Sequence, residues 1–159
     1  MMSLRNGSRV ALGLAALTRG ISIAPAHSTP ATPPAATPAV AAAGAAVPWA
    51  VFSGYKRYHG NCSTCHGPDG LGGTFAPALA TSLKTMDHDQ FLEIVVNGKA
   101  NAQLAMPEFG ADPNVMCYIE DIYTYLKARS DGAVPRGRPA PQPTRPADVA
   151  EAENACMGS

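Results

Sequence analysis

The chain has 159 residues, 46% hydrophobic but only 6% aromatic, with 15 prolines and 15 glycines, a composition that fits one small packed domain with part of the chain outside it. Lys/Arg and Asp/Glu balance at 12 each, yet within residues 49–131 six Lys/Arg stand against nine Asp/Glu. The packed part is therefore mildly acidic and offers no basic footprint for nucleic acid.

In chain order, the first segment carries Arg5 and Arg9, then an apolar run from Val10 to Leu17, then the small triplet Ala24-Pro25-Ala26. That layout predicts a secretory signal peptide over residues 1–26 and export of the remaining chain. The run is too short to span a bilayer and Arg19 interrupts its continuation, so no stable membrane insertion is expected. Residues 27–48 are an uncharged Pro/Ala/Thr tract without helical or strand periodicity. Such a stretch cannot bury enough surface to offset its ordering entropy and reads as a linker.

Residues 49–131 form the predicted domain, with three helical signals. In "WAVFSGYKRYHGNC", Val51, Tyr55 and Tyr58 share a face, and Gly54 lies on a neighbouring face where a second helix can approach. In "DHDQFLEIVVNG", Asp87 is placed to cap, Phe91, Leu92, Val95 and Val96 form a stripe, and Asn97-Gly98 is the stop. In "DPNVMCYIEDIYTYLKARSDG", Asp112 can cap, Pro113 suits the first helical position, and Val115, Ile119, Ile122 and Leu126 make the apolar stripe. Lys127 and Arg129 suit its C-terminal dipole. No alternating run is long enough for a sheet, so the fold class is all-α. Residues 132–159 begin at Gly132, are Pro-rich, and are expected to form an extended tail carrying Cys156 near its end.

The chemistry concentrates in "YHGNCSTCHGPDG". A Cys-x-x-Cys pair can be a redox dithiol, half of a zinc site, or an attachment point for haem. In Cys62-Ser63-Thr64-Cys65-His66 the histidine follows the second cysteine at once, the pattern of c-type haem attachment, with thioether bonds from both thiols and the imidazole of His66 beneath the iron. A zinc site would need a second ligand pair, which the distant Cys117 and Cys156 do not form. A thioredoxin-like site would need a strand-to-helix setting. A haem that only passes electrons needs a second axial ligand, and methionine is the usual high-potential choice. Of six methionines, Met106 lies in the Pro/Gly-containing loop "NAQLAMPEFG" between the second and third helices, free to turn toward the iron; core packing is its alternative role. His59 and His88 are read as surface histidines. The Pro77 carbonyl in "TFAPALA" is the expected acceptor for the other ring nitrogen of His66, unless Pro77 only stiffens a turn.

Gly54-x-x-x-Tyr58-x-x-x-Cys62-x-x-Cys65-His66, Ala76-Pro77-Ala78-Leu79, Met106-Pro107 and the helix ending "YTYLK" together resemble class I cytochrome c. The resemblance implies a small helical domain wrapped around one covalently attached haem c, its first and last helices crossing near Gly54 and Tyr125 with Tyr58 at the same contact. "SLKTMDHDQFLEIVVNGK", "MPEFGADPNVMCYIEDIYTYLKARSDGAVPRGRP" and the terminal "CMG" are similar to a four-cysteine subgroup of c-type cytochromes of methanol metabolism. That similarity covers roughly residues 52–139 plus the last few, and excludes the long linker.

The subgroup similarity implies a periplasmic one-electron carrier, not an enzyme. Its donor would be a PQQ-dependent methanol or alcohol dehydrogenase and its acceptor a downstream cytochrome or terminal oxidase. A general periplasmic shuttle and a ligand-binding or sensor haem protein are the alternatives. In an oxidising compartment Cys117 can bond Cys156 and tie the tail to the domain, worth about 4 kcal/mol in the chain-entropy model. Free or intermolecular thiols are the alternative. Phe75, Leu79, Leu83, Leu104 and Phe109 are candidates for an apolar haem wall.

Overall fold

The computed structural model describes residues 46–101, 103–140 and 142–158. The predicted signal peptide and nearly all of the predicted linker lie outside the described residues. The linker's last residues behave differently from the prediction: Val47 is 6% exposed and belongs to the core, so packing begins two residues before Trp49.

Helix α1 runs Trp49–Asn61 and α2 is the single turn Ser63–His66, followed by a 3-10 turn at Pro68–Gly70. Then come α3 (Leu79–Ser82), α4 (His88–Asn97), the two-residue strands β1 (Lys99–Ala100) and β2 (Ala105–Met106), α5 (Pro113–Met116), α6 (Ile119–Ser130) and α7 (Ala147–Met157). The strands pair antiparallel, Lys99 opposite Met106 and Ala100 opposite Ala105. Among the described residues no helix is long and apolar enough to cross a membrane.

The α1–α6 crossing organises the domain. A Cβ on Gly54 would stand 1.9 Å from the Asp121 carbonyl oxygen and 2.8 Å from Tyr125 Cβ, so only glycine lets the two backbones come this close. Around it Phe52, Tyr58 and Tyr125 are fully buried, with Tyr58 and Tyr125 ring centroids 5.7 Å apart. Complete burial of a side chain such as Phe52 stabilises by about 1.5–3 kcal/mol. The stripe Val115, Ile119, Ile122 and Leu126 is buried throughout, as its helical spacing requires.

Helix α4 starts in a full capping box, the Asp87 carboxylate accepting from the Gln90 N–H while the Gln90 side chain accepts from the Asp87 N–H, which satisfies two otherwise orphaned donors. The third predicted helix differs from expectation. It breaks between Met116 and Ile119, where Tyr118 leaves helical geometry at φ −131° and ψ 14°. The buried Tyr118 ring there carries the Arg57 guanidinium 3.4 Å above its centroid, a packing preference that a stripe of apolar positions does not encode.

The tail also departs from the extended form predicted for it. Its proline-rich part runs as far as Pro146, after which "ADVAEAENACM" is rich in alanine and glutamate, has Asp148 in its first turn, and ends on Gly158 in the left-handed region. Those features favour a helix, and α7 forms. It is tied back by the Cys117–Cys156 disulfide, Cα atoms 5.7 Å apart. Glu153, 8% exposed, accepts from Trp49 Nε1 at 3.1 Å and from Arg145 at 2.6 Å, so its buried charge is paired.

Candidate functional site

Helix α1 delivers the site. The Cys62 N–H still bonds the Tyr58 carbonyl at 2.8 Å, and the His66 N–H bonds the Cys62 carbonyl at 3.0 Å, so Cys62, Cys65 and His66 occupy one compact turn. Gly67 then takes φ +72°, and a Cβ there would stand 2.1 Å from the Gly72 carbonyl oxygen. The chain consequently doubles back: the Gly72 N–H donates to the His66 carbonyl at 2.7 Å, while the buried Tyr58 hydroxyl donates to the Gly67 carbonyl at 2.5 Å. This hairpin brings the Pro77 carbonyl to 2.9 Å from His66 Nδ1.

A carbonyl only accepts, so Nδ1 carries a proton toward Pro77, and in the neutral ring the lone pair is on Nε2. His66 is 6% exposed, and its ring is therefore fixed in both orientation and tautomer, as ligating imidazoles are. Cys62 and Cys65 are free, the first half-buried and the second exposed. Burial, and then the neighbouring Cys65, pushes the Cys62 thiol up to about 11. A thiol so far from ionisation lacks the stabilised thiolate of a redox dithiol. Nor do Cys117 and Cys156 supply a second pair for zinc, since they are bonded to each other.

The other predicted ligand, Met106, ends β2. Asn101 closes the turn before it, its side-chain oxygen accepting from the Gln103 and Leu104 N–H groups at 2.9 Å each. Phe109 and Gly110 donate to the Val95 and Val96 carbonyls at the end of α4, anchoring the segment that follows Met106. Met106 is half-buried against the core.

The apolar surface supplies a test of fit. Among the described residues the exposed large hydrophobics are Leu71 at 42%, Phe75 at 63% and Leu104 at 41%. All three belong to the two segments that bear His66 with Pro77 and Met106. Apolar groups left on those segments, with two free cysteines and the buried His66 ring beside them, suit a porphyrin held covalently and covered on both faces. Of the other predicted wall residues, Leu79 and Phe109 are half-buried against the core, while Leu83, 1% exposed, is itself core.

Two residues of the site were not anticipated from sequence. His59 is not a surface histidine: its side chain is 28% exposed, its ring lies 4.3 Å from Tyr55 and 5.3 Å from Tyr58, and its Nε2 is buried without a hydrogen bond. It faces Asp69, whose carboxylate is 3.7 Å away. Asp69 is 5% exposed and accepts from the Tyr125 hydroxyl at 3.2 Å and the Gly137 N–H at 3.1 Å. Pro68-Asp69-Gly70 is a turn signal, but its burial depends on partners 56 and 68 residues away. His88, by contrast, is a surface residue paired with Glu120 at 2.9 Å.

Comparison with known proteins agrees with this geometry. The family profile described as "Cytochrome C oxidase, cbb3-type, subunit III" matches residues 50–126. The chain is 52% identical over 116 residues to cytochrome c-553I of Paracoccus denitrificans, covering 70% of this chain and 51% of that protein; it thus spans about half that relative's length. It is 42% identical over 125 residues to cytochrome c-555 of Methylococcus capsulatus, covering 78% of this chain and 85% of that one. The crystal structure of the c-type cytochrome XoxG from Methylobacterium extorquens AM1 superposes with a TM-score of 0.65 at 46% identity, over 68% of this chain and 67% of that one. An all-α domain with a Cys-x-x-Cys-His turn at the foot of its first helix, and relatives of this closeness, place the chain among the class I c-type cytochromes, electron-transfer proteins that carry covalently attached haem c and are not enzymes.

Proposed function

We propose that the chain is a periplasmic one-electron carrier in which Cys62 and Cys65 hold the haem by thioether bonds and His66 Nε2 and the Met106 sulfur are the axial ligands of its iron. The observation that carries this reading is the His66 ring, buried and locked through Nδ1 on the Pro77 carbonyl at 2.9 Å directly behind the paired thiols. When bound, the group supplies a one-electron iron couple. The chain's own part is to orient and to enclose. Pro77 fixes the imidazole plane, Tyr58 clamps the loop at Gly67, and β2, anchored by the segment that follows it, presents Met106. With His66 and Met106 both holding the iron, the chain would leave no position for a substrate, and the group would supply electron transfer.

The donor we infer is a PQQ-dependent methanol or alcohol dehydrogenase and the acceptor a downstream cytochrome or terminal oxidase. Support comes from the similarity of residues 82–99 and of the segment from Met106 through Pro139 to the methanol-metabolism subgroup, and from the Cys117–Cys156 disulfide, which suits an oxidising compartment. The encounter should be transient and of small area, as redox encounters are. Stopped-flow mixing of the oxidised, haem-loaded protein with that dehydrogenase and methanol tests the donor. Rapid, saturable, methanol-dependent reduction supports it. Sluggish reduction, with prompt reduction by other cytochromes, would leave a general shuttle.

A further inference from the structure

Asp69 stands three residues beyond His66, and hence at most roughly 11 Å from it along the chain. Among the described residues it is the non-glycine residue with positive φ, at +58°, a conformation that aspartate tolerates better than most side chains but that is still uncommon. Its carboxylate is almost completely buried and sits where four parts of the chain meet. The loop supplies Asp69 itself. Helix α1 supplies His59, with Nε2 3.7 Å from Oδ1. Helix α6 supplies the Tyr125 hydroxyl to Oδ1 and Arg129, whose Nε donates to the Asp69 carbonyl at 3.4 Å. The tail supplies the Gly137 N–H to Oδ1 and Arg136, whose Nε lies 3.6 Å from Oδ2.

A loop needs no buried charge to close. Gly67 and Gly72 already turn it, and Tyr58 already clamps it. An ionised carboxylate withdrawn from water is costly unless it is paired, and here its donors and cations are recruited from both crossing helices and from the tail. Such a charge is poorly screened by salt and lies close to a ligand of the proposed redox centre.

We propose that Asp69 is a positioning residue for electron transfer, whose buried carboxylate anchors the loop behind His66 to α1, α6 and the tail and lowers the reduction potential of the iron site. The sign follows from charge. Reduction adds one electron, and a fixed negative charge nearby disfavours the more negative state. Removing that charge while leaving Arg129 and Arg136 in place favours reduction.

This inference rests on the reading of His66 as an iron ligand, and the two can fail separately. The experiment is a spectroelectrochemical titration of the purified, haem-loaded full chain at pH 7 and fixed ionic strength, comparing wild type with Asp69→Asn. Asparagine retains an oxygen that can accept from Tyr125 and Gly137, so the loop keeps its anchor while losing the charge. Asp69→Gly is the second variant if the first does not fold, since glycine accepts the positive φ. Glu151→Gln, on the exposed side of α7, is the control and should titrate as wild type. The expected result is a higher potential in either Asp69 variant with an unchanged low-spin spectrum. An unchanged or lower potential overturns the inference, and a lowered melting temperature alone would not rescue it, because a purely structural anchor predicts that outcome. A wild-type spectrum lacking the low-spin His/Met bands would remove the ligand reading and this inference together.

Discussion

The α1–α6 crossing and the C-terminal tail both close over the same domain, yet they are held by different physics. The crossing is held by close packing: Gly54 admits the Asp121 carbonyl, and the Tyr58 and Tyr125 rings pack at a tilt of 46° beside it. Beyond the buried Ala133 and Val134 at its start, the tail is held by polar and covalent ties. Gly137 reaches the Asp69 carboxylate, Glu153 pairs with Arg145 and Trp49, and Cys156 is bonded to Cys117. A packed crossing fails all at once when its geometry is wrong, whereas a stapled strap loses stability one tie at a time.

The largest expected effect is on the crossing. Gly54→Val would drive side-chain carbon into the Asp121 backbone, 1.9 Å from even the first added atom, and should cost about 3 kcal/mol or more. Loss of soluble, haem-bearing protein on expression is the outcome to look for; a variant melting like wild type would mean that the helices do not cross there. Next comes the strap. Cys156→Ser opens a loop with a sequence separation of 39 and should cost about 2–4 kcal/mol in urea unfolding, with the helical haem domain still able to fold. An unchanged unfolding midpoint would show that the polar ties hold the tail without the disulfide.

Acid sharpens the comparison further. Burial pushes the Asp69 carboxyl up, but the Gly137 N–H, the Tyr125 hydroxyl, Arg129 and His59 outweigh it and hold it below its ordinary value. Its folded value is therefore below its unfolded one. The carboxylate contributes stability above the ordinary carboxylate range, near about 3.9, and loses it as pH falls through the folded value. Acid unfolding of wild type should steepen below that range and flatten in Asp69→Asn; parallel curves would count against the pairing. Asp121 runs the other way. Burial, reinforced by Glu153 and Glu120 and partly offset by the Ser53 hydroxyl and Arg57, raises its carboxyl. Its charged form is disfavoured in the fold, at a cost present at neutral pH that vanishes as pH falls through the raised value. Asp121→Asn should thus slightly raise the melting temperature at pH 7 and not at acid pH.

Legibility in the sequence divides along the same line. Helix faces, the Asp87 cap, the close approach at Gly54 and the Cys62/Cys65/His66 turn are local signals of period, cap or spacing, and the structure contains each of them. The break at Tyr118 turns on an arginine stacked from another helix, and the burial of Asp69 on donors from α6 and the tail. Neither partner is near in sequence, so neither could be read from a window. Helix α7 was legible, but a proline-rich average over residues 132–159 concealed the alanine-rich end of that segment.

The central claim is that both axial positions of the haem iron are filled by this chain, one of them by Met106. The optical spectrum of the reduced protein with and without carbon monoxide tests it most directly, in wild type and in Met106→Ala. The account predicts a low-spin wild-type spectrum that carbon monoxide leaves unchanged, and a variant that binds it. Carbon monoxide binding by wild type, or a variant whose spectrum and potential match wild type, would contradict it.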